Sequence, residues 1–239
     1  MDTPDFRFKQ FTIRHDRSAM KVGTDGVLLG AWAGSILNTT STPFKILDVG
    51  TGTGLIALMM AQRFPAANIV GIDIDEASLE QAKENVESTP FKARISIKKQ
   101  DFSDINSFSN QFDLIISNPP FYKEDTLGGN QARDKARHTT SLSFETLVEN
   151  AAKLLTEEGL FCVIIPHQSA VDFISICVAN KLYLTHRLNI RSTERKPFNR
   201  VLLEFSMKIQ PSETNTLTLY DANNNRSPEY AQLTQDFYL

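Results

Sequence analysis

A glycine-rich turn set between a strand-like run and a helix-like run constrains this chain more than any other feature. Phe44–Val49 (FKILDV) is short and apolar, and Leu55–Phe64 (LIALMMAQRF) has a helical composition stopped by Pro65. Between them Gly50, Gly52 and Gly54 alternate with threonines. Glycine serves where backbone must bend sharply or approach a ligand closely, because it carries no Cβ. The helix that follows offers free N–H groups at its start. In an open α/β sheet such a turn lies beyond the carboxyl ends of the strands, where ligands bind. A dinucleotide fingerprint, G-x-G-x-x-G, would need glycine at position 55, which is Leu55.

The rest of the chain continues the alternation. Residues 68–72, 94–99, 112–117 and 160–165 read as strands. Residues 76–87, 143–155 and 168–180 read as helices, the first two with Asp75 and Ser143 placed to cap them. Alternating strands and helices predict a mostly parallel sheet with helices on both faces. Strands at 182–190 and 201–209 have no helix between them, so they must pair antiparallel or leave the pattern, which suggests a mixed edge to the sheet. The chain reads as one domain of 239 residues: 1–43 before the first strand, 44–209 as the core, and a polar extension at 210–239. That extension ends in Phe237-Tyr238, with no signal for docking or against it.

Composition excludes several classes. No apolar run approaches the ~20 residues that cross a bilayer. The opening MDTPDFRFKQ lacks the apolar stretch of a signal peptide, so a cytoplasmic protein is expected. Cys162 and Cys177 read as buried thiols, and no Cys/His spacing suits a metal. The four histidines are scattered. A net charge of −3 speaks mildly against a nucleic-acid partner. The local distribution speaks for one: Arg187, Arg191, Arg195, Lys196, Arg200 and Lys208 meet only Glu194 and Glu204 over 187–208. A second basic stretch covers residues 6–23. Both could equally be solvated faces.

Three further positions carry chemistry. Asp73 closes the second strand 19 residues after Gly54, where a carboxylate can accept both hydroxyls of a ribose. Asp101, after the third strand, could accept from an adenine amino group or simply cap a turn. Asn118-Pro119-Pro120-Phe121-Tyr122 follows the fourth strand, and its prolines fix the backbone there. An exocyclic ring amine is a poor nucleophile because its lone pair is delocalised. The Asn118 amide oxygen and the Pro119 carbonyl could both accept from such an amine and free that lone pair, with Pro120 fixing the turn. Phe121 or Tyr122 could stack on the ring.

The run Asp48-Val-Gly50-Thr-Gly52-Thr-Gly54 together with Asn118-Pro-Pro-Phe121 resembles the class I methyltransferases that act on amines. Phe8–Ile13, Asp16–Trp32 and the closing stretches Ser227–Tyr230 and Asp236–Leu239 are similar to the bacterial tRNA1(Val) adenine-37 N6-methyltransferase family. The resemblance implies a three-layer Rossmann-like sandwich with a seven-stranded, mostly parallel sheet and an antiparallel edge hairpin. It implies S-adenosylmethionine as cofactor and tRNA as partner, with neither metal nor membrane. Met20–Gly26 would close over the methionine end of the cofactor, with Lys21, Gly23 and Thr24 in contact. Asp48, Gly50 and Gly52 would lie near the methionine moiety, Asp73 with Ile74 at the ribose, and Asp101 with Phe102 at the adenine. Asn118 would face both cofactor and target amine. No separate recognition domain is visible, so Tyr122, Arg191, Arg195, Lys196 and Arg200 are the expected RNA contacts. The oligomeric state is not readable, and a monomer is the default. An rRNA guanine, a DNA adenine or a protein glutamine remain alternative acceptors. A nucleotide-dependent oxidoreductase and a catalytically silent RNA-binding module are readings of other classes.

Overall fold

The run FKILDV lies inside an eight-stranded sheet, in a computed structural model that describes residues 5–18, 21–35, 43–108, 111–120 and 142–239. In chain order the strands are β1 (Phe6–Arg7), β2 (Thr12–Ile13), β3 (Phe44–Val49), β4 (Ala67–Asp73), β5 (Ile95–Lys99), β6 (Phe112–Ser117), β7 (Leu155–Pro166), β8 (Tyr183–Arg191), β9 (Arg200–Ser206) and β10 (Glu213–Thr218). The helices are α1 (Thr24–Trp32), α2 (Leu55–Arg63), α3 (Glu76–Glu87), α4 (Phe144–Leu154), α5 (Ala170–Ala179) and α6 (Pro228–Thr234). The large sheet runs β10-β8-β9-β7-β6-β3-β4-β5, and only β9 opposes its neighbours. β1 and β2 form a separate two-stranded antiparallel ribbon.

Period-two burial splits the interior into two cores, one on each face of the sheet. On β7, Leu160, Cys162 and Ile164 face the first core, and Phe161, Val163 and Ile165 face the second. The first core also takes residues of α1 and α2, together with Tyr230 and Phe237 near the end of the chain. The second takes residues of α4 and α5. Asp75 and Ser143 cap α3 and α4 through their side chains, as their positions predicted.

The sheet has eight strands, not seven, and the β8–β9 hairpin is not its edge. β10 pairs parallel with β8 along all six of its residues and covers it. The sequence ETNTLT reads as polar, yet it alternates: Leu217 enters the first core, while Thr218 bonds to Arg191 on the other face. Branched threonines suit such a half-covered strand. The tail docks as well. Ser227 caps α6 through Tyr230 N–H, and Phe237 is buried beneath it. β9 stops at Ser206, short of the expected 209, because the Ser206 hydroxyl bonds both the N–H and the carbonyl of Lys208 and turns the chain. β7 starts at Leu155, five residues earlier than expected, since Leu155 already pairs with Phe112 ahead of a register shift.

Candidate active site

The strands β3, β4, β5, β6 and β7 all end at one edge of the sheet, and β8, parallel to β7 across β9, ends there too. Val49 is in register with Ser117, and the Ser117 hydroxyl donates to the Val49 carbonyl at 3.0 Å. The glycine turn and Asn118 therefore leave neighbouring strands, roughly 5 Å apart. Gly50, Gly52 and Gly54 all hold left-handed backbone, with φ of +74°, +52° and +81°. A Cβ on Gly54 would meet Ala82, whereas one on Gly50 or Gly52 would meet nothing within 4 Å. These two glycines border open space, which is what a ligand cradle requires. Gly50 and Thr51 N–H both donate to the Ile72 carbonyl, and Gly52 N–H donates to Asp73 Oδ2 at 2.9 Å.

Asp48 lies beneath this turn, fully buried. Its Oδ2 accepts from the Thr51 hydroxyl at 2.7 Å and from Ala57 N–H at 3.2 Å. Its Oδ1 has no partner among the described residues. Burial pushes the carboxyl up to about 7, against the pull of those two hydrogen bonds. Asp73 is half-buried at the end of β4, its Oδ1 accepting from Asp75 N–H. Ile74 beside it is 51 % exposed, an apolar side chain held in solvent at the mouth of the cradle. Asp101 is exposed and accepts from Ser103 N–H at 2.8 Å, so it does cap a turn. The Phe102 ring is packed in the second core against Phe108, and Asn150 donates to the Phe102 carbonyl at 2.7 Å. Asn118 is half-exposed, Pro119 buried and Pro120 exposed. Phe121, Tyr122 and Met20 lie outside the described residues.

The segment ahead of α1 is held against the glycine turn by two residues of α3 that the sequence did not single out. Asn85 accepts from Arg14 N–H and donates to the carbonyls of Arg14 and Thr53. Gln81 accepts from the N–H groups of Arg17 and Ser18 and donates to Asp16. His15 Nδ1 accepts from Val22 N–H, which places the backbone next to the exposed Lys21, Gly23 and Thr24. A polar pair at i and i+4 on the buried side of α3 was the available signal. Asn85→Ala leaves buried backbone groups unpaired and is expected to cost about 1–3 kcal/mol, read as a lower urea midpoint.

The expected RNA contacts separate. Arg191 donates to Thr218 and to the Glu194 carbonyl, and its guanidinium lies 5.6 Å from the centre of the Phe198 ring. Arg195 and Lys196 are exposed in the β8–β9 loop. Arg200 is on the opposite face and pairs with Asp25 at 2.7 Å, tying β9 to the first turn of α1. Among the described residues no cluster of His, Cys, Asp or Glu could hold a metal, and no helix is long and apolar enough to cross a membrane.

Residues 34–181 match the family model of the methyltransferase small domain, which makes the chain a class I methyltransferase. A predicted O-methyltransferase from Agrobacterium tumefaciens has the same fold, with a TM-score of 0.69 at 18 % identity over 89 % of this chain and 96 % of that one. So does a glycopeptide N-methyltransferase complexed with S-adenosylmethionine, with a TM-score of 0.56 at 11 % identity over 79 % and 100 %. Relatives named tRNA1(Val) (adenine(37)-N6)-methyltransferase are far more similar. The one from Bacteroides thetaiotaomicron is 44 % identical, covering 100 % of this chain and 99 % of its own. The one from Yersinia pseudotuberculosis is 42 % identical, covering 98 % and 92 %. The chain belongs to the tRNA1(Val) (adenine(37)-N6)-methyltransferase family, and S-adenosylmethionine is its cofactor. The residues fit that cofactor: the open glycine cradle, the unpartnered Asp48 oxygen and the carboxylate of Asp73 stand along one sheet edge.

Proposed function

We propose that this chain, working as a single methyltransferase domain in the cytoplasm, methylates N6 of an adenine in tRNA, at position 37 of tRNA1(Val). The observation that carries the reading is the adjacency of the open glycine cradle and Asn118 across the β3–β6 pair. The names of the full-length relatives support the acceptor. S-adenosylmethionine, when bound, supplies a methyl carbon made electrophilic by its sulfonium.

Asp48, Gly50 and Gly52 hold the methionine end, with Lys21, Gly23 and Thr24 closing over it. Asp73 accepts the ribose hydroxyls, Ile74 covers the nucleoside, and Asp101 with the Phe102 backbone borders the adenine. Asn118 Oδ1 and the Pro119 carbonyl accept the two N–H bonds of the target amine. Pro120 keeps that carbonyl turned toward the amine, and Phe121 or Tyr122 stacks on its ring. Held this way, the nitrogen lone pair is freed and aimed at the methyl. With the cofactor bound, that nitrogen would take up the methyl group as the sulfonium gives it up, and the amine's extra proton would pass to water. The residues contribute by positioning and electrostatics, and no strong base is needed.

The test is methyl incorporation from labelled S-adenosylmethionine into tRNA from cells lacking the gene, followed by nucleoside analysis. One gain of N6-methyladenosine in tRNA1(Val) is expected. Label confined to rRNA, DNA or protein overturns the reading.

A further inference from the structure

We propose that the face of β8 and β10 that carries Arg187 and Arg191 seats the RNA strand that flanks the target adenosine; this rests on the tRNA reading above. Arg187, Asn189 and Arg191 alternate along β8 and so share one face. Their register partners on β10 are Thr214, Thr216 and Thr218. The contact from Arg191 to Thr218 confirms the common side. Arg187 is set in place from two directions, donating to Asn189 Oδ1 at 2.8 Å and lying 3.3 Å from His167 Nε2. At the carboxyl end of this face the Phe198 ring lies 5.4 Å from the His167 ring and 5.6 Å from the Arg191 guanidinium. The face thus combines fixed cations with a half-exposed aromatic ring.

The charge on this face is one-sided. Over 187–199 four cations, Arg187, Arg191, Arg195 and Lys196, meet a single carboxylate, Glu194. Glu204 and Glu213 are turned to the other face, where both engage His186. Arg200 is also on that other side and already paired with Asp25. Cations positioned by neighbours suit phosphates, and an aromatic ring suits a base of any sequence. β8 lies three strand spacings from β6, roughly 14 Å. A single strand leaving the Asn118 pocket covers that span in a few nucleotides. A protein partner would find no comparable apolar surface here, since the face carries arginines, an asparagine and threonines around one ring.

The test uses the full-length protein and an unmodified tRNA1(Val) transcript, with affinity measured across a salt series. F198A is expected to weaken transcript binding about tenfold, and F198Y to restore it. R187Q is expected to lower the slope of log affinity against log salt by about one unit. Affinity for S-adenosylhomocysteine stays at the wild-type value in all three. K92A, at the opposite edge of the sheet ahead of β5, leaves transcript binding unchanged. Wild-type RNA affinity and slope in both F198A and R187Q overturn the proposal. So does a parallel loss of S-adenosylhomocysteine affinity, because the damage then reaches the cofactor loop. Binding that depends on Phe198 and Arg187, in an enzyme that methylates no tRNA, upholds the surface and overturns the reading it rests on.

Discussion

Asn118→Ala is expected to slow methyl transfer about 10²- to 10³-fold while lowering S-adenosylhomocysteine affinity far less. That is the scale seen when one preorganised hydrogen-bonding group facing a reacting atom is removed. Two acceptors hold the target amine in the proposed site, and one of them is backbone, so the variant keeps only Pro119. Asn118 stands half-exposed at the tip of β6, so truncation leaves no buried cavity and the fold is retained. Asn118→Asp keeps an acceptor oxygen and is expected to retain more activity than the alanine variant. Single-turnover rates with saturating cofactor read the difference. An undiminished rate in the alanine variant would remove Asn118 from the chemistry.

The turn and the Asn-Pro-Pro tip were legible in the sequence because glycine and proline act on their own backbone, wherever the rest of the chain goes. The strands β3 and β6 were legible for a similar reason, as short apolar runs ahead of such turns, and β5 by its alternation of apolar and polar residues. Strand β10 was not: its outward threonines mask the inward leucine, and its place beside β8 depends on a pairing that local pattern does not specify. The same limit applied to the basic stretch. Arg191 and Arg200 look alike in a list of charges, and only the register of the β8–β9 hairpin sends them to opposite faces. Gln81 and Asn85 read as ordinary helix residues until the irregular segment at 14–18 is laid over them.

Asp48→Asn is expected to flatten the pH dependence of stability and to weaken cofactor binding. The Asp48 carboxyl is raised from 3.8 to about 7 by burial. Between those values the folded chain holds a proton there that the unfolded chain has released. Its contribution is full below about pH 4 and is lost as pH rises toward 7, at about 1.4 kcal/mol per unit. The wild type is expected to lose on the order of 4 kcal/mol over that window from this group alone. Asparagine does not titrate, so the variant loses none of it. Urea unfolding of the cofactor-free protein at pH 4, 5.5 and 7 reads the slopes. The amide also cannot offer a charged acceptor to the ammonium of the cofactor. S-adenosylhomocysteine affinity at pH 8 is therefore expected to fall about tenfold or more. Equal pH slopes for both proteins would show that Asp48 titrates alike in the folded and unfolded chain and would overturn the burial-raised carboxyl.

Residues 8–9 and 237–238 clasp one another. Lys9 N–H donates to the Phe237 carbonyl at 2.8 Å, Phe8 stacks on Tyr238, and Gln62 of α2 donates to the Asp236 carbonyl at 2.8 Å. The same opening segment runs on into residues 14–18, which Asn85 and Gln81 fasten beside the glycine turn. Segments far apart in sequence thus share one fastening, and a change that frees residues 237–238 is expected to loosen the stretch that leads to the glycine turn as well.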